Sequence, residues 1–149
     1  MTANSAGIAL IKGDEGCSLV AIKDVNRWQI GWGDDFYPDG KAVREGDTCT
    51  QEQADAWFLM RINQFEDAVN GAVSVSLNQN QFDALVSLCE NIGAQAFIDS
   101  TLVKDLNYGL FSLASTQFLR WNKVNGLPNA GLTKRRLAEQ ALFQQPISV

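Results

Sequence analysis

Glu15 and Asp24 are the first residues in the chain whose type and spacing could do chemistry. Glu15 sits between Gly13 and Gly16, where bare backbone lets a ligand come close to a carboxylate. Asp24 follows nine residues later, beyond a short apolar run at 19–22. Two carboxylates across a strand and a turn can face one groove. Held in unlike surroundings, one stays protonated and donates to a leaving oxygen. The other aids water or a cationic transition state. That is the minimum apparatus for cutting a glycosidic bond, although a pair of solvated surface acids carries the same signature.

Other chemistries are narrowed by residue type. The chain has no His, which removes Ser-His-Asp and Cys-His nucleophile systems and His-ligated metals. Cys17, Cys49 and Cys89 are an odd, scattered set. They make neither a disulfide framework nor a four-thiolate zinc site, and they read as packed or idle thiols. The acidic loop at 34–40 suggests calcium at first sight, but Tyr37 falls where an oxygen ligand is needed and Pro38 interrupts. It reads as a plain turn. Trp57 and Trp121, on helical stripes, read as core; Trp32, between Gly31 and Gly33, suits a sugar platform or a core equally. Lys134, Arg135 and Arg136 read as a solvated helix face, or as the source of one Arg that orients a carboxylate.

The elements that must position these residues follow from pattern. The chain has 149 residues, 46% hydrophobic and 19% charged, enough for one folded domain with a real core. No apolar run comes near the roughly 18 residues of a membrane span, and the first residues lack a secretory pattern. Net charge is −9 over residues 1–99 and +4 over residues 100–149. The acidic majority argues against nucleic-acid binding, which needs phosphate neutralisation. The basic end could face an anionic polymer.

Residues 4–12 suggest a short helix capped by Asn4 or Ser5, with Ile8 and Ile11 inward. Residues 19–22 and 28–32 read as strands among turn formers, in an antiparallel sheet of two or three strands. Thr50 and Gln53 form a capping box that opens a long helix, which Gly71 ends. Asn78 caps the next helix, with Phe82, Leu85, Val86 and Cys89 on one face and Gly93 beyond. A short helix starts at Ser100 and closes at Gly109. Another covers about 112–122, with Leu113, Phe118 and Trp121 inward. A last one runs over about 131–144 and stops before Pro146. The expected fold is a single α+β domain, mostly helical. A small antiparallel β-rich lobe spans about 13–48 and a helical lobe about 72–149, the latter packed with the N-terminal helix. A connecting helix at about 50–70 joins them.

Beyond pattern, the order of these pieces resembles a known family. Ile11-Lys12-x-x-Glu15-Gly16, Asp24, Ile30-Gly31-Trp32-Gly33 and Gly46-Asp47-x-x-Thr50-x-x-Gln53-Ala54 look like the N-terminal lobe of phage-type lysozymes, or endolysins, of glycoside hydrolase family 24. Residues 77–87, Asn91-x-Gly93, Phe97-x-x-Ser100-Thr101-Leu102, Phe118-x-x-Trp121 and Gly131-Leu132-x-x-Arg135-Arg136-x-x-Glu139 follow in register. The resemblance covers about residues 8–143. It implies a cofactor-free and metal-free muramidase that cuts the β-1,4 bond between N-acetylmuramic acid and N-acetylglucosamine in peptidoglycan. Carried over, Glu15 is the general acid, Asp24 supports water or the developing positive charge, and Gln29 takes the place of a water-positioning Thr. Arg135 orients Glu15; Trp32, Glu90, Asn91 and Thr101 contact substrate.

Such an enzyme is expected to be a monomer without membrane anchor or nucleic-acid partner. It would wait in the host cytoplasm until a holin permeabilises the membrane, then act in the periplasm or cell wall. The chain departs from the family at several points: Gln29 for Thr, an interval from Asp24 to Gln29 one residue shorter, Asp34 for His, Ile22 for Tyr, and Glu90 for an aromatic. An amide can hold water through both its oxygen and its NH₂, so Gln29 can keep the role. Two alternatives stay open: a lytic transglycosylase acting on the same bond, and a glycan-binding homologue that does not cut.

Overall fold

A computed structural model of the chain describes residues 1–13 and 16–147. The elements run α1 (Ser5–Lys12), β1 (Ser18–Asp24), β2 (Arg27–Gly31), α2 (Gln51–Ala72), α3 (Gln79–Ile92), α4 (Ala94–Ile98), α5 (Thr101–Asn107), α6 (Phe111–Gln117), a 3-10 turn (Phe118–Trp121), β3 (Lys123–Val124), β4 (Leu127–Pro128) and α7 (Ala130–Gln144). The fold is α+β and mostly helical. It divides into two compact units, one of residues 12–63 and one of residues 1–11 with 64–149. Among the described residues no helix is long and apolar enough to cross a membrane.

In the 12–63 unit, β1 and β2 form an antiparallel pair. Isolated bridges at Val20–Thr48, Ile30–Asp34 and Phe36–Ala42 extend the β structure without a third strand. Ala21, Ile30 and Val43 make a small core, with Trp28, Tyr37, Cys49 and Trp57 packed on it. Tyr37 meets Trp57 edge-on at 5.3 Å, and its hydroxyl donates to Asp47 at 2.6 Å. Burial, then that bond to an acid, pushes the Tyr37 phenol up to about 12. Thr50 and Gln53 make the expected reciprocal cap, each backbone N–H donating to the other's side chain.

In the other unit, Phe82, Leu85, Phe97, Leu102, Leu106 and Phe118 are wholly buried. Phe118 packs on Phe143 of α7 at 5.4 Å. Asn78 caps α3 with a full capping box and Gly93 closes it, while Ser100 caps α5. Several expectations need correction. Gly71 does not end α2, which runs through it to Ala72. The helix expected over 112–122 tightens to 3-10 geometry at Phe118. Leu113, expected inward, is 48% exposed, because Ala114 and Ser115 turn to the core instead. The short helix α4 and the β3–β4 hairpin, a two-residue pairing around Asn125-Gly126, were not foreseen.

Two buried acids fasten the start of the chain: Glu66 accepts from the Ala3 N–H at 2.5 Å, and Asp83 holds the residues that follow. Asp83 on α3 accepts from the Asn4 N–H at 3.2 Å and the Gln79 amide at 2.7 Å through Oδ1. Its Oδ2 is buried without a partner. Gly7 of α1 lies so close that a Cβ there would fall 2.7 Å from the Asp83 Cβ. Burial raises the Asp83 pKa against the opposing pull of those bonds. A carboxyl raised on folding contributes stability in full below its unfolded value, and that contribution is lost as pH rises through the folded value. Asp83→Asn should therefore flatten the fall in denaturation midpoint between pH 4 and pH 7. An unchanged slope in urea titrations at the two pH values would contradict this account.

Candidate active site

The β1–β2 hairpin pairs Ile22 with Gln29, Lys23 with Trp28 and Asp24 with Arg27. Residues opposite each other share a face, and faces alternate along a strand. Trp28 and Ile30 take the core side, which leaves Ile22, Asp24 and Gln29 together on the other. Asp24 and Gln29 both line a cavity of about 330 Å³, with Gly16, Ser18, Ile22 and Gly31 also on its wall. Asp24 is exposed and Gln29 half-buried. Glu15 lies outside the described residues; its sequence neighbour Gly16 is on the cavity wall.

The short interval between Asp24 and Gln29 closes as a two-residue turn, Val25-Asn26. It drives Val25 to φ 53°, a left-handed conformation that a β-branched residue adopts only under strain. Gly31 also has a positive φ, and a Cβ there would lie 3.2 Å from the Ala54 Cβ of α2. Only glycine lets this strand end approach the helix so closely.

Asp34, expected in a plain turn, is a buried ion-pair partner. Its Oδ1 lies 2.9 Å from Arg61 Nη1, and Arg61 Nη2 donates to the Trp32 carbonyl at 3.1 Å. Burial raises the Asp34 pKa, Arg61 opposes that, and Asp35 adds to it. Arg61 was missed by sequence reasoning; a lone cation in a long helix carries no local signal. Trp32 is partly buried and engaged at its indole edge and over its ring. Its indole N–H donates to Asp55 at 2.8 Å, and the Lys12 ammonium sits 4.1 Å from its ring centroid. Among the described residues, no three of His, Cys, Asp and Glu are grouped to hold a metal ion.

In the helical unit, the basic triplet is not wholly a solvated face: Lys134 is exposed, Arg135 half-buried and Arg136 buried. Arg136 and Glu139 are both fully buried, paired through Nε and Oε1 at 2.6 Å. Ser87 donates to the same carboxylate. Burial raises the Glu139 pKa and lowers that of Arg136, and each charge opposes the other's shift. Arg135 spans three partners: Glu90 at 2.7 Å, Glu139 at 3.3 Å and the Ser87 carbonyl at 2.8 Å. Glu90, where the resemblance expects an aromatic, thus sits half-buried with its charge countered. The expected contact of Arg135 with Glu15 falls outside the described residues.

Asn91 is exposed. Thr101 lines a second cavity, about 240 Å³, with Leu102, Gln117, Arg120 and Trp121. Trp121, expected in the core, is only partly buried. Gln117 was missed as well: it is 7% exposed, and its Oε1 has no partner.

With this geometry in place, the relatives are informative. A model of the phage lysozyme family matches residues 12–139. The endolysin of Acyrthosiphon pisum secondary endosymbiont phage 1 is 44% identical over 149 residues, covering 97% of this chain and 99% of that protein. The endolysin of Bacillus phage PZA is also 44% identical, over 96% of this chain but 55% of its own, so the chain spans about half that relative's length. Among solved structures, the muramidase domain of SpmX from Asticaccaulis excentricus aligns with a TM-score of 0.82 at 37% identity, covering 97% of this chain and 99% of that one. The chain belongs to the phage lysozyme family and is a glycoside hydrolase.

Two substitutions check the site's construction. Val25→Gly should raise stability by about 1 kcal/mol by releasing the strained turn; a lower urea midpoint would contradict that. Arg136→Met should cost roughly 3–5 kcal/mol by stranding Glu139, and adding Glu139→Gln should recover much of it. Equal stability of the single and double variants would show that the pair is not coupled.

Proposed function

We propose that the chain hydrolyses the β-1,4 bond between N-acetylmuramic acid and N-acetylglucosamine in peptidoglycan, and so lyses bacteria on behalf of a phage or prophage. The observation that carries this reading is the shared cavity of Asp24 and Gln29, reached also by Gly16 beside Glu15. The substrate is the glycan strand of the cell wall. The relatives named endolysin and the SpmX muramidase domain support that class.

In this mechanism Glu15 protonates the glycosidic oxygen as the bond breaks, leaving positive charge on the sugar ring. Asp24, on the exposed face of the hairpin, supports that charge or the incoming water. Gln29 holds the water through its amide, accepting from one hydrogen and donating to the oxygen. Arg135 is assigned the orienting role toward Glu15, with Glu90 and Glu139 fixing its guanidinium. Trp32, Glu90, Asn91 and Thr101 are the assigned substrate contacts. No cofactor or metal is required, and the enzyme acts as a monomer. It is held in the host cytoplasm until the membrane is breached and then works on the wall.

The test is loss of turbidity of outer-membrane-permeabilised cells. Glu15→Gln should lower the rate by about 10²–10⁴-fold, and Gln29→Leu by on the order of 10²-fold through misplaced water. Equal activity of wild type and Glu15→Gln would remove Glu15 from the mechanism. Mass spectrometry of released muropeptides should show reducing ends. Anhydro ends would indicate a transglycosylase, and binding to sacculi without soluble fragments would indicate a non-cutting homologue.

A further inference from the structure

The sequence offered three unrelated thiols, but the fold treats them differently. Cys89 is wholly buried in α3, and burial pushes its thiol up to about 12. Cys17 and Cys49 are only partly buried; Cys49 pairs antiparallel with the start of β1, and Cys17 immediately precedes β1. The Ala21 N–H donates to the Asp47 carbonyl at 2.8 Å and the Cys49 N–H to the Leu19 carbonyl at 2.9 Å, with Val20 opposite Thr48. Cys49 therefore stands opposite Leu19. Side chains two apart share a face, and continuing that alternation one residue back from Ser18 sets Cys17 diagonal to Cys49.

Contacts around the two sulfurs agree with that placement. The Gln51 amide lies 3.5 Å from the Cys17 sulfur. Burial raises the Cys49 pKa first, and the nearby Cys17 raises it further. The Gly31 N–H donates to Cys49 and opposes both.

We propose that Cys17 and Cys49 are a redox-modification site, closing to an internal disulfide when the chain meets a small-molecule disulfide such as oxidised glutathione. The Cys17 thiolate attacks one glutathione sulfur and expels a glutathione thiolate. The Cys49 thiolate then attacks the Cys17 sulfur of the mixed disulfide and expels the second. Two protein thiols are oxidised, one glutathione disulfide is reduced to two thiols, and the two protein protons end on glutathione.

Diagonal neighbours sit about 7–8 Å apart at Cα, and a disulfide needs about 7 Å or less. Closure thus asks the chain to move by about 1 Å. It has room to do so at the Cys17 end: open space surrounds the Cβ side of Gly16, and the β1–β2 register slips between Ser18 and Ile22. The bond would tie the segment ending at Cys17 to the residue before the Thr50 cap. Any effect on lysis, through Glu15 two residues away, rests on the proposed muramidase reading; the thiol chemistry does not.

The experiment uses the full chain in mixtures of reduced and oxidised glutathione, quenched with acid, alkylated and peptide-mapped. An internal Cys17–Cys49 bond is expected, with Cys89 alkylated only after unfolding. Tm should rise by roughly 5 °C or more on oxidation. Cys17→Ser and Cys49→Ser should each abolish both changes. Glu15→Gln should form the bond as wild type does, which separates this result from the outcome of the lysis assay. Persistent glutathione adducts without an internal bond, a bond to Cys89, covalent dimers, a fall in Tm or no reaction would each overturn the proposal.

Discussion

Pairing Ile22 with Gln29 and Asp24 with Arg27 determines which side chains of the N-terminal segment face water together. A slip of one residue would send Asp24 and Gln29 to the core side and Trp28 and Ile30 to solvent. The register is held from below by the packing of Trp28 and Ile30 with Ala21 and Val43. Gly31 holds it at the far end, letting the strand touch Ala54 of α2. Because the turn is only two residues long, these constraints meet at Val25, where the strain collects.

The helical unit solves a different problem. Arg136 and Glu139 have no access to water, so each would be costly alone. Ser87 and Arg135 complete the coordination of the Glu139 carboxylate, and Arg135 continues the chain of charges out to Glu90. A half-buried acid at position 90 is thereby neutralised locally, in place of the aromatic that the family resemblance suggests. In the 12–63 unit, Asp34 and Arg61 play a comparable part where a His is expected.

Elements with local signals were legible in the sequence: the capping boxes at Thr50 and Asn78, the Ser100 cap, the hairpin of alternating residues, and the stop before Pro146. What stayed hidden depends on contacts distant in sequence. Leu113 and Ala114 differ by one helical step, and only packing selects which turns inward. The burial of Arg136 beneath its neighbours in the triplet, the pairing of Arg61 with Asp34 across 27 residues, and the proximity of Cys17 to Cys49 leave no local pattern. Of the proposed site, the types and order of Glu15, Asp24 and Gln29 were readable. The common cavity of Asp24 and Gln29 required the fold.

Nuclear magnetic resonance of the Glu15→Gln variant, titrated with an uncut tetrasaccharide of alternating N-acetylglucosamine and N-acetylmuramic acid, addresses the central claim most directly. The Gln29 side-chain NH₂ and the backbone amides of Gly16 and Asp24 are expected to shift together, saturably and with one affinity. Binding that moves amides elsewhere while these three stay still would show that the hairpin face is not where the glycan is cut.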